Sequence, residues 1–427
     1  MLVSPSPLRF AVSRTLPNPP HHGRRSQSPS IAPMLRRERP RKLLAAAAAL
    51  ITDPDDFEVG RFVGSYGFMN ITSYSSFRSG GFLNSGALQE LVPGYSPEEI
   101  ERLRVQDVGE GQFHCRLYEG RVVQGPLKGT RVIFKVYPGQ RAGGTEADMM
   151  AANELSAHAS LQSDCKIICQ NIQFLLGAFE TKTGEQWLIF RNDGKYSAAD
   201  YAKIASEDVS KDLLQKDQKF WNPFDKGQKV KRRRFFVLKL LNGAMNGLAY
   251  LHDHDRIHQS LGPSSVVLNT VVEKDATYLI PRLRDLAFSV DIGLSSIGKG
   301  ALSEGLWRRA SAAGAFTPLE KRAFGIADDI YEAGLLFAYL AFVPFCEMGI
   351  MDSISLQRLL ESTFQLDLDA AREYCLADDR LVEAVNFLDL GDGAGWELLK
   401  AMLNPDYRQR PIAEAVLNHR FMTGAVL

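Results

Sequence analysis

Residues 240–268 read LLNGAMNGLAYLHDHDRIHQSLGPSSVVL, and this segment carries the most informative pattern in the sequence. Residues 240–252 have the apolar spacing of a long helix. A polar loop follows, and the apolar run 266–268 then predicts a short strand. The loop between these elements contains His258, Ser260 and Ser265, the side chains on which the functional interpretation depends.

Upstream of this stretch the chain has strand-like periodicity, because β-branched and aromatic residues alternate. The predicted strands cover residues 103–111, 113–123, 130–139, 171–180 and 185–190. One helix is predicted between them, over residues 146–161. After Asn192 the pattern is mostly helical, so we expect two lobes, a small one over 104–191 and a large one over 192–422.

The order of a small β lobe, a linker and a helical lobe resembles the protein-kinase family, and motifs along residues 104–422 support the resemblance. It implies a bilobal α+β fold, with a small lobe that has a five-stranded antiparallel sheet and one helix. It also implies Ser/Thr-type chemistry with ATP and Mg²⁺ as ligands.

The lysine strand of the family is matched by residues 132–135, which read VIFK and end in Lys135. Glu154 lies on the predicted helix that follows. In kinases such a lysine contacts the α- and β-phosphates, and such a glutamate holds the lysine by an ion pair. The resemblance therefore assigns Lys135 and Glu154 to the nucleotide site.

The catalytic loop, residues 257–268, keeps the frame of the family pattern I-H-R-D-L-K-P-x-N, including His258. The substituted positions are Gln259 for the arginine, Ser260 for the base aspartate, Gly262 for the lysine and Ser265 for the metal-binding asparagine. A positioned general base contributes ~10²–10⁴-fold to the rate. Loss of the base from a kinase with a turnover rate of ~1–100 s⁻¹ leaves a rate of ~10⁻⁴–1 s⁻¹, so the sequence is compatible with slow turnover.

Two further motifs are degenerate. Residues 285–287, DLA, resemble the D-F-G metal motif, which makes Asp285 the candidate Mg²⁺ ligand. Gly109 and Gly111 resemble the glycine-rich loop, which we place on a hairpin between the first two strands. Residues 60–69 have a similar glycine spacing but lie too far from Lys135 for one hairpin, so we prefer the nearer pair.

The adenine pocket is expected to be narrowed. Ile133 stands where the family has alanine, and added volume in a fitted pocket typically costs ~1–3 kcal/mol. Phe190 falls at the gatekeeper position, at the back of the pocket. Both residues argue against ATP binding, whereas Lys135, Glu154 and Asp285 argue for it.

The framework motifs of the large lobe are retained. Residues 317–320 read TPLE, residues 329–334 read DIYEAG, and Arg410-Pro411 resembles the terminal motif of the family. The resemblance implies a buried ion pair between Glu320 and Arg410, and breaking such a pair typically costs ~3–5 kcal/mol. Framework residues persist where chemical residues are lost, which favours a pseudokinase.

The N-terminal residues differ in composition from the rest of the chain. Residues 1–42 are rich in Arg, Pro and Ser and contain a single acid, Glu38. This composition predicts a plastid transit peptide within 1–52, with a mitochondrial one as the alternative and a plain disordered tail as the third interpretation. Residues 53–103 are predicted to be an extension packed beside the domain.

The overall composition does not indicate a particular class of binding partner. Fifty basic and fifty acidic residues cancel, so no nucleic-acid preference is indicated. No apolar run reaches the ~18 residues of a membrane-spanning helix. Five scattered cysteines favour reduced thiols over disulfides or zinc.

A basic cluster within residues 229–234 (Lys229, Lys231, Arg232, Arg233 and Arg234) ends a predicted insertion over 204–235. It is either a solvated loop edge or a contact for an anionic lipid, nucleic acid or acidic protein.

Two functions follow from these observations. The first is an inactive plastid pseudokinase that acts on protein partners as a scaffold or regulator. The second is a weak or atypical Ser/Thr kinase that uses Lys135, Glu154 and Asp285 on a protein substrate.

Overall fold

The computed structural model describes residues 50–68, 113–163, 169–214, 223–298 and 303–424. The small lobe is a five-stranded antiparallel sheet with the order β1-β2-β3-β5-β4. Its strands are β1 Phe57–Phe68, β2 Phe113–Val122, β3 Arg131–Tyr137, β4 Leu175–Glu180 and β5 Gln186–Arg191. Helix α1, Gln140–Ser163, packs against the sheet through Met150 and Ala151, which contact Phe190 and Cys115 in one buried cluster.

The first strand of the sheet corrects the sequence-based boundary. β1 pairs along its length with β2, although it lies within the stretch predicted to be an extension. The predicted strand 103–111 falls outside the described residues. The prediction missed β1 because its glycines, Gly60, Gly64 and Gly67, lower its strand propensity, and because strands are seldom joined by a connection as long as 69–112.

The large lobe is mainly helical. Its helices are α2 Ala198–Leu214, α3 Pro223–Asp253, α4 Glu304–Ala312, α5 Pro318–Phe342, α6 Ser353–Gln357, α7 Leu368–Leu376, α8 Val382–Leu388, α9 Leu390–Met402 and α10 Ala413–Leu417. Five short strands form two small sheets, with the orders β6-β8-β9 and β7-β10. They are β6 Tyr196–Ser197, β7 Arg256–Ile257, β8 Val266–Leu268, β9 Arg282–Leu283 and β10 Val290–Asp291. Helices α3 and α5 provide much of the largest buried apolar cluster, through side chains such as Leu248 and Phe337.

Helix α5 begins with a complete capping box. Thr317 Oγ1 accepts from the backbone N–H of Glu320, Pro318 occupies the first turn, and the Glu320 carboxylate accepts from the backbone N–H of Thr317 at 2.9 Å. The predicted buried ion pair of Glu320 with Arg410 is wrong. Arg410 instead donates to the carbonyl oxygens of Asn404 and Ala327, because the Glu320 carboxylate is occupied at the start of the helix.

The basic cluster within residues 229–234 lies on α3, and the predicted insertion is helical over the parts that the structure describes. Arg233 is buried and donates to Glu273 at 2.7 Å and to the Pro344 carbonyl oxygen at 2.8 Å. Arg234 lies 3.8 Å from Glu383. One of the five basic residues, Arg233, is therefore part of the interior of the large lobe, whereas Arg234 is partly exposed and Lys231 is exposed.

Over the described ranges, no helix is both long enough and apolar enough to cross a membrane. Cys115, Cys169, Cys346 and Cys375 are free thiols.

Candidate active site

The residues of the candidate site meet where the sheet faces the large lobe. Lys135, on β3, lies with its Nζ 2.8 Å from Glu154 Oε2 on α1 and 2.8 Å from Asp285 Oδ1. All three side chains are buried. One ammonium group therefore holds two carboxylates that come from different parts of the chain.

Tyr137 adds a fourth polar group to this cluster. Its hydroxyl donates to Glu154, and its ring lies 5.2 Å from Lys135 Nζ, within cation–π range. Burial raises the pKa of Glu154, and the Lys135 ammonium opposes that rise. Tyr137 belongs to none of the motifs recognised in the sequence, although its alternation with Lys135 on one strand places both residues on the same face.

The catalytic loop is held by one buried carboxylate on α5. Asp329 accepts the backbone N–H of His258 at 2.7 Å and that of Gln259 at 2.9 Å. It also lies 3.0 Å from His252 Nε2 at the end of α3. Gln259 has a positive φ of 60°, so these two bonds hold its backbone in the left-handed region that a non-glycine residue seldom adopts. The frame of the loop is thus rigidly built.

Ser260, the residue that the sequence resemblance aligns with the catalytic base, is turned inward. It is 1% exposed, and its hydroxyl donates to the Asp285 carbonyl oxygen at 3.2 Å. Ser265 is also buried, and its hydroxyl both donates to the Gly262 carbonyl oxygen at 2.7 Å and accepts the Gly262 N–H at 2.9 Å. Ser265 therefore bonds within the loop, whereas Ser260 connects the loop to the Asp285 segment.

His258 links the loop to the segment of Asp285. Its Nε2 lies 2.9 Å from the carbonyl oxygen of Arg284. Burial lowers the pKa of His258, which favours the neutral ring. In that form the ring can donate one hydrogen bond, so the geometry gives His258 a positioning role.

Asp285 has a cation on each carboxylate oxygen. Its Oδ1 faces Lys135, and its Oδ2 lies 3.1 Å from Nε of Arg284. The same Nε donates to the Ser264 carbonyl oxygen at 3.0 Å. Sequence reasoning missed Arg284, because a residue adjacent to a motif gives no sign of where its side chain folds.

The residues after Asp285 are fixed to helix α1. Leu286 is buried in the large-lobe core, whereas Ala287 and Phe288 pack in the small-lobe cluster. Asn153 on α1 donates to the carbonyl oxygens of Ala287 and Ser289, both at 2.8 Å. The segment thus joins the two lobes through apolar contacts and through hydrogen bonds from the Asn153 side chain to its backbone.

The two predicted adenine-pocket residues are neighbours in the sheet. Ile133 pairs directly with Phe190 across β3 and β5. Phe190 is fully buried, and its ring packs edge-to-face on His158 of α1 with centroids 5.1 Å apart. Gly109 and Gly111 lie outside the described residues, so the structure does not place the predicted glycine loop.

No protein-family model matches the chain, and no curated protein matches it. A solved structure does: the crystal structure of an Stt7 homolog from Micromonas algae, soaked with ATP, matches with a TM-score of 0.50 and 17% identity. The match covers 93% of this chain and 98% of that chain. This chain has the bilobal protein-kinase fold. The fold class predicted from the sequence is thereby confirmed.

The kinase fold implies ATP with Mg²⁺, and the residues present fit these groups unequally. Lys135 and Glu154 are paired as a phosphate-binding lysine requires. Mg²⁺ needs several oxygen ligands in near-octahedral geometry. In kinases one or two carboxylates hold Mg²⁺ together with the nucleotide phosphates. Here Asp285 has a cation beside each carboxylate oxygen, and the Ser265 hydroxyl is engaged with Gly262. The metal-binding positions therefore fit Mg²⁺ poorly, whereas Lys135 and Glu154 fit the nucleotide.

Proposed function

We propose that this chain is a pseudokinase, a kinase-fold protein that regulates or scaffolds protein partners without transferring phosphate. The observation that carries the proposal is Ser260, at the position of the base. A general base must reach the proton of the attacking hydroxyl and accept it. The Ser260 side chain is buried and carries a hydroxyl in place of a carboxylate. This hydroxyl donates to the backbone carbonyl oxygen of Asp285.

The rest of the loop supports the same conclusion. Gly262 replaces a lysine at a position where fixed positive charge stabilises a phosphoryl group in transfer. Ser265 is turned toward Gly262. In contrast, the buried contacts of Asp329 and Glu332 that support the loop backbone are intact. The geometry of the loop therefore favours a scaffolding role over a catalytic one.

Phosphate transfer from γ-labelled ATP to a mixed Ser/Thr peptide library tests the proposal. The purified chain and its Asp285→Ala variant are compared in the presence of Mg²⁺ and of Mn²⁺. Equal background in both proteins is expected. Transfer by the wild-type chain that disappears in Asp285→Ala would overturn the proposal.

A weak or atypical Ser/Thr kinase is the second candidate. The assembled Lys135, Glu154 and Asp285 favour it, because loss of the base alone still leaves ~10⁻⁴–1 s⁻¹. The same transfer assay, extended over hours, separates the two candidates. Turnover in that range that depends on Lys135 would favour the weak kinase.

ATP binding without transfer is compatible with the first candidate. The Stt7 homolog that shares the fold was soaked with ATP, and in this chain Lys135 would contact the phosphates. A thermal-shift titration with ATP tests this, with Lys135→Ala as the comparison. A shift that persists in Lys135→Ala would place the nucleotide elsewhere.

We propose a plastid location on the basis of residues 1–42, which are rich in Arg and Ser and poor in acids. A fluorescent protein fused after residue 52 is expected to enter plastids, and import into mitochondria would contradict the proposal. Partners are proteins in this proposal. Lys231 and Arg232 of the basic cluster remain candidates for an acidic contact on them.

A further inference from the structure

Asp285 lies in the cleft of the candidate active site, between two positively charged side chains. Backbone hydrogen bonds bring the catalytic loop and the Asp285 segment together, because the N–H of Arg284 donates to the Ser265 carbonyl oxygen at 2.9 Å. Strands β8 and β9 continue this pairing, with Val266 opposite Leu283. The loop position of Ser265 and the carboxylate of Asp285 are therefore brought close together by the backbone.

The side chain of Arg284 folds into this place. Its Nε lies 3.0 Å from the Ser264 carbonyl oxygen and 3.1 Å from Asp285 Oδ2. It thereby connects an oxygen of the catalytic loop to an oxygen of the acidic motif. A bridge between these same two elements is the geometry that a cation takes when both supply oxygen ligands.

The hydroxyl of Ser265 supplies no competing ligand. It is buried, and both its donor and one acceptor position are used by Gly262. The other oxygen of Asp285 faces Lys135 Nζ at 2.8 Å. The carboxylate thus has an ammonium on one side and a guanidinium on the other.

We infer that Arg284 takes the place of a divalent cation at Asp285, so that this cleft excludes metal from its acidic motif. A carboxylate with two fixed cations has little net attraction for a third. Mg²⁺ and Mn²⁺ would also have to displace either the buried Lys135 contact or the partly exposed Arg284 contact to reach within bonding distance of an Asp285 oxygen. The inference rests on the same site as the proposed function and concerns binding of the metal alone.

The test uses Mn²⁺ with the full chain and follows the electron paramagnetic resonance signal of free Mn²⁺. The wild-type chain and Asp285→Ala are expected to deplete this signal equally. Arg284→Gln removes one cation and keeps much of the side-chain size. We expect it to bind one Mn²⁺ per chain at least ~tenfold more tightly than the wild type, because a nearby like charge is gone.

The gain in Mn²⁺ affinity must disappear in the Arg284→Gln/Asp285→Ala double variant. Arg380→Gln is the matched control, since it removes the partner of Asp378 in an exposed pair without creating a site. Depletion by the wild type that is lost in Asp285→Ala would overturn the inference, and so would a folded Arg284→Gln without the gain. If Arg284→Gln fails to fold, the comparison of Mn²⁺ binding by the wild type and Asp285→Ala still tests whether Asp285 binds the metal.

This result is separate from the outcome of the proposed function. A wild-type chain that binds Mn²⁺ at Asp285 but transfers no phosphate would overturn the inference and leave the pseudokinase proposal standing. Phosphate transfer that depends on Asp285 would overturn the pseudokinase proposal.

Discussion

The Lys135 ammonium lies 2.8 Å from Asp285 Oδ1, although 150 positions separate the two residues in the chain. Lys135 comes from the small lobe and Asp285 from the segment that follows the catalytic loop, so their contact ties the lobes together. Glu154 shares the same ammonium group. Three buried charged groups therefore meet at one point between the two lobes.

Replacement of Lys135 by Met is expected to destabilise the fold by ~3–5 kcal/mol, because two buried carboxylates lose their common cation. Urea unfolding measures the effect. Lys400→Met is the control, since Lys400 and Asp369 form an exposed pair that contributes little. Equal unfolding midpoints for the two variants would show that the buried cluster has no special role in stability.

Asp329→Ala is expected to destabilise the chain by at least ~3 kcal/mol, because two backbone N–H groups of the catalytic loop lose a charged acceptor. Chemical denaturation measures this loss. Asp291 also accepts two hydrogen bonds but is exposed, so Asp291→Ala should have a much smaller effect. A small effect at Asp329 would contradict its proposed role as support for the loop.

Gly120→Ala is expected to destabilise the small lobe. An added Cβ would lie 2.3 Å from the Glu58 carbonyl oxygen and 2.4 Å from the Phe134 ring. Gly64 lies in the adjacent strand with nothing within 4 Å of its added Cβ, so Gly64→Ala should be neutral or stabilising. Melting temperatures of the two variants provide the comparison, and equal values would contradict the close packing of β1 on β2.

His158 should make stability depend on pH. Burial lowers its pKa to about 3, and neither ring nitrogen has a hydrogen-bond partner within the described part of the chain. The unfolded chain takes up the proton first, near pH ~6.5. The contribution of neutral His158 is therefore complete above that pH and is lost as the pH falls from about 6.5 toward 3.

The measurement is the free energy of unfolding between pH 7.5 and pH 4.5 for the wild type and His158→Leu. The variant should lose less stability on acidification, with a difference in slope of up to ~1.4 kcal/mol per pH unit. His114→Leu, at an exposed position, controls for removal of a histidine. Parallel profiles for the wild type and His158→Leu would refute the prediction.

Ser260→Asp is expected to leave the chain without phosphate transfer. The new carboxylate would be buried beside the Asp285 carbonyl oxygen, and the metal site would still be incomplete. Adding Ser265→Asn to Ser260→Asp tests whether the two substitutions together restore phosphate transfer. Robust transfer by Ser260→Asp alone would contradict this prediction and would mean that the base is the only missing catalytic element.

The sequence alone predicted much of the fold. Alternation in residues 113–139 gave β2 and β3, and the apolar spacing of 240–252 gave the second half of α3, because both patterns reflect burial of one face. It also identified the site candidates in the chain, including Lys135, Glu154 and Asp285. These are local patterns or fixed motifs, so they can be read without knowledge of distant contacts.

The contacts that those residues make depend on the tertiary structure. β1 was hidden because its glycines weaken the local signal, whereas its pairing with β2 is a long-range contact. Glu320 and Arg410 have other partners, Ser265 bonds to its own loop, and Arg284 reaches Asp285. A residue type fixes what a side chain can bind, but the packed backbone determines which partner lies within about 3 Å, the distance at which hydrogen bonds and ion pairs form.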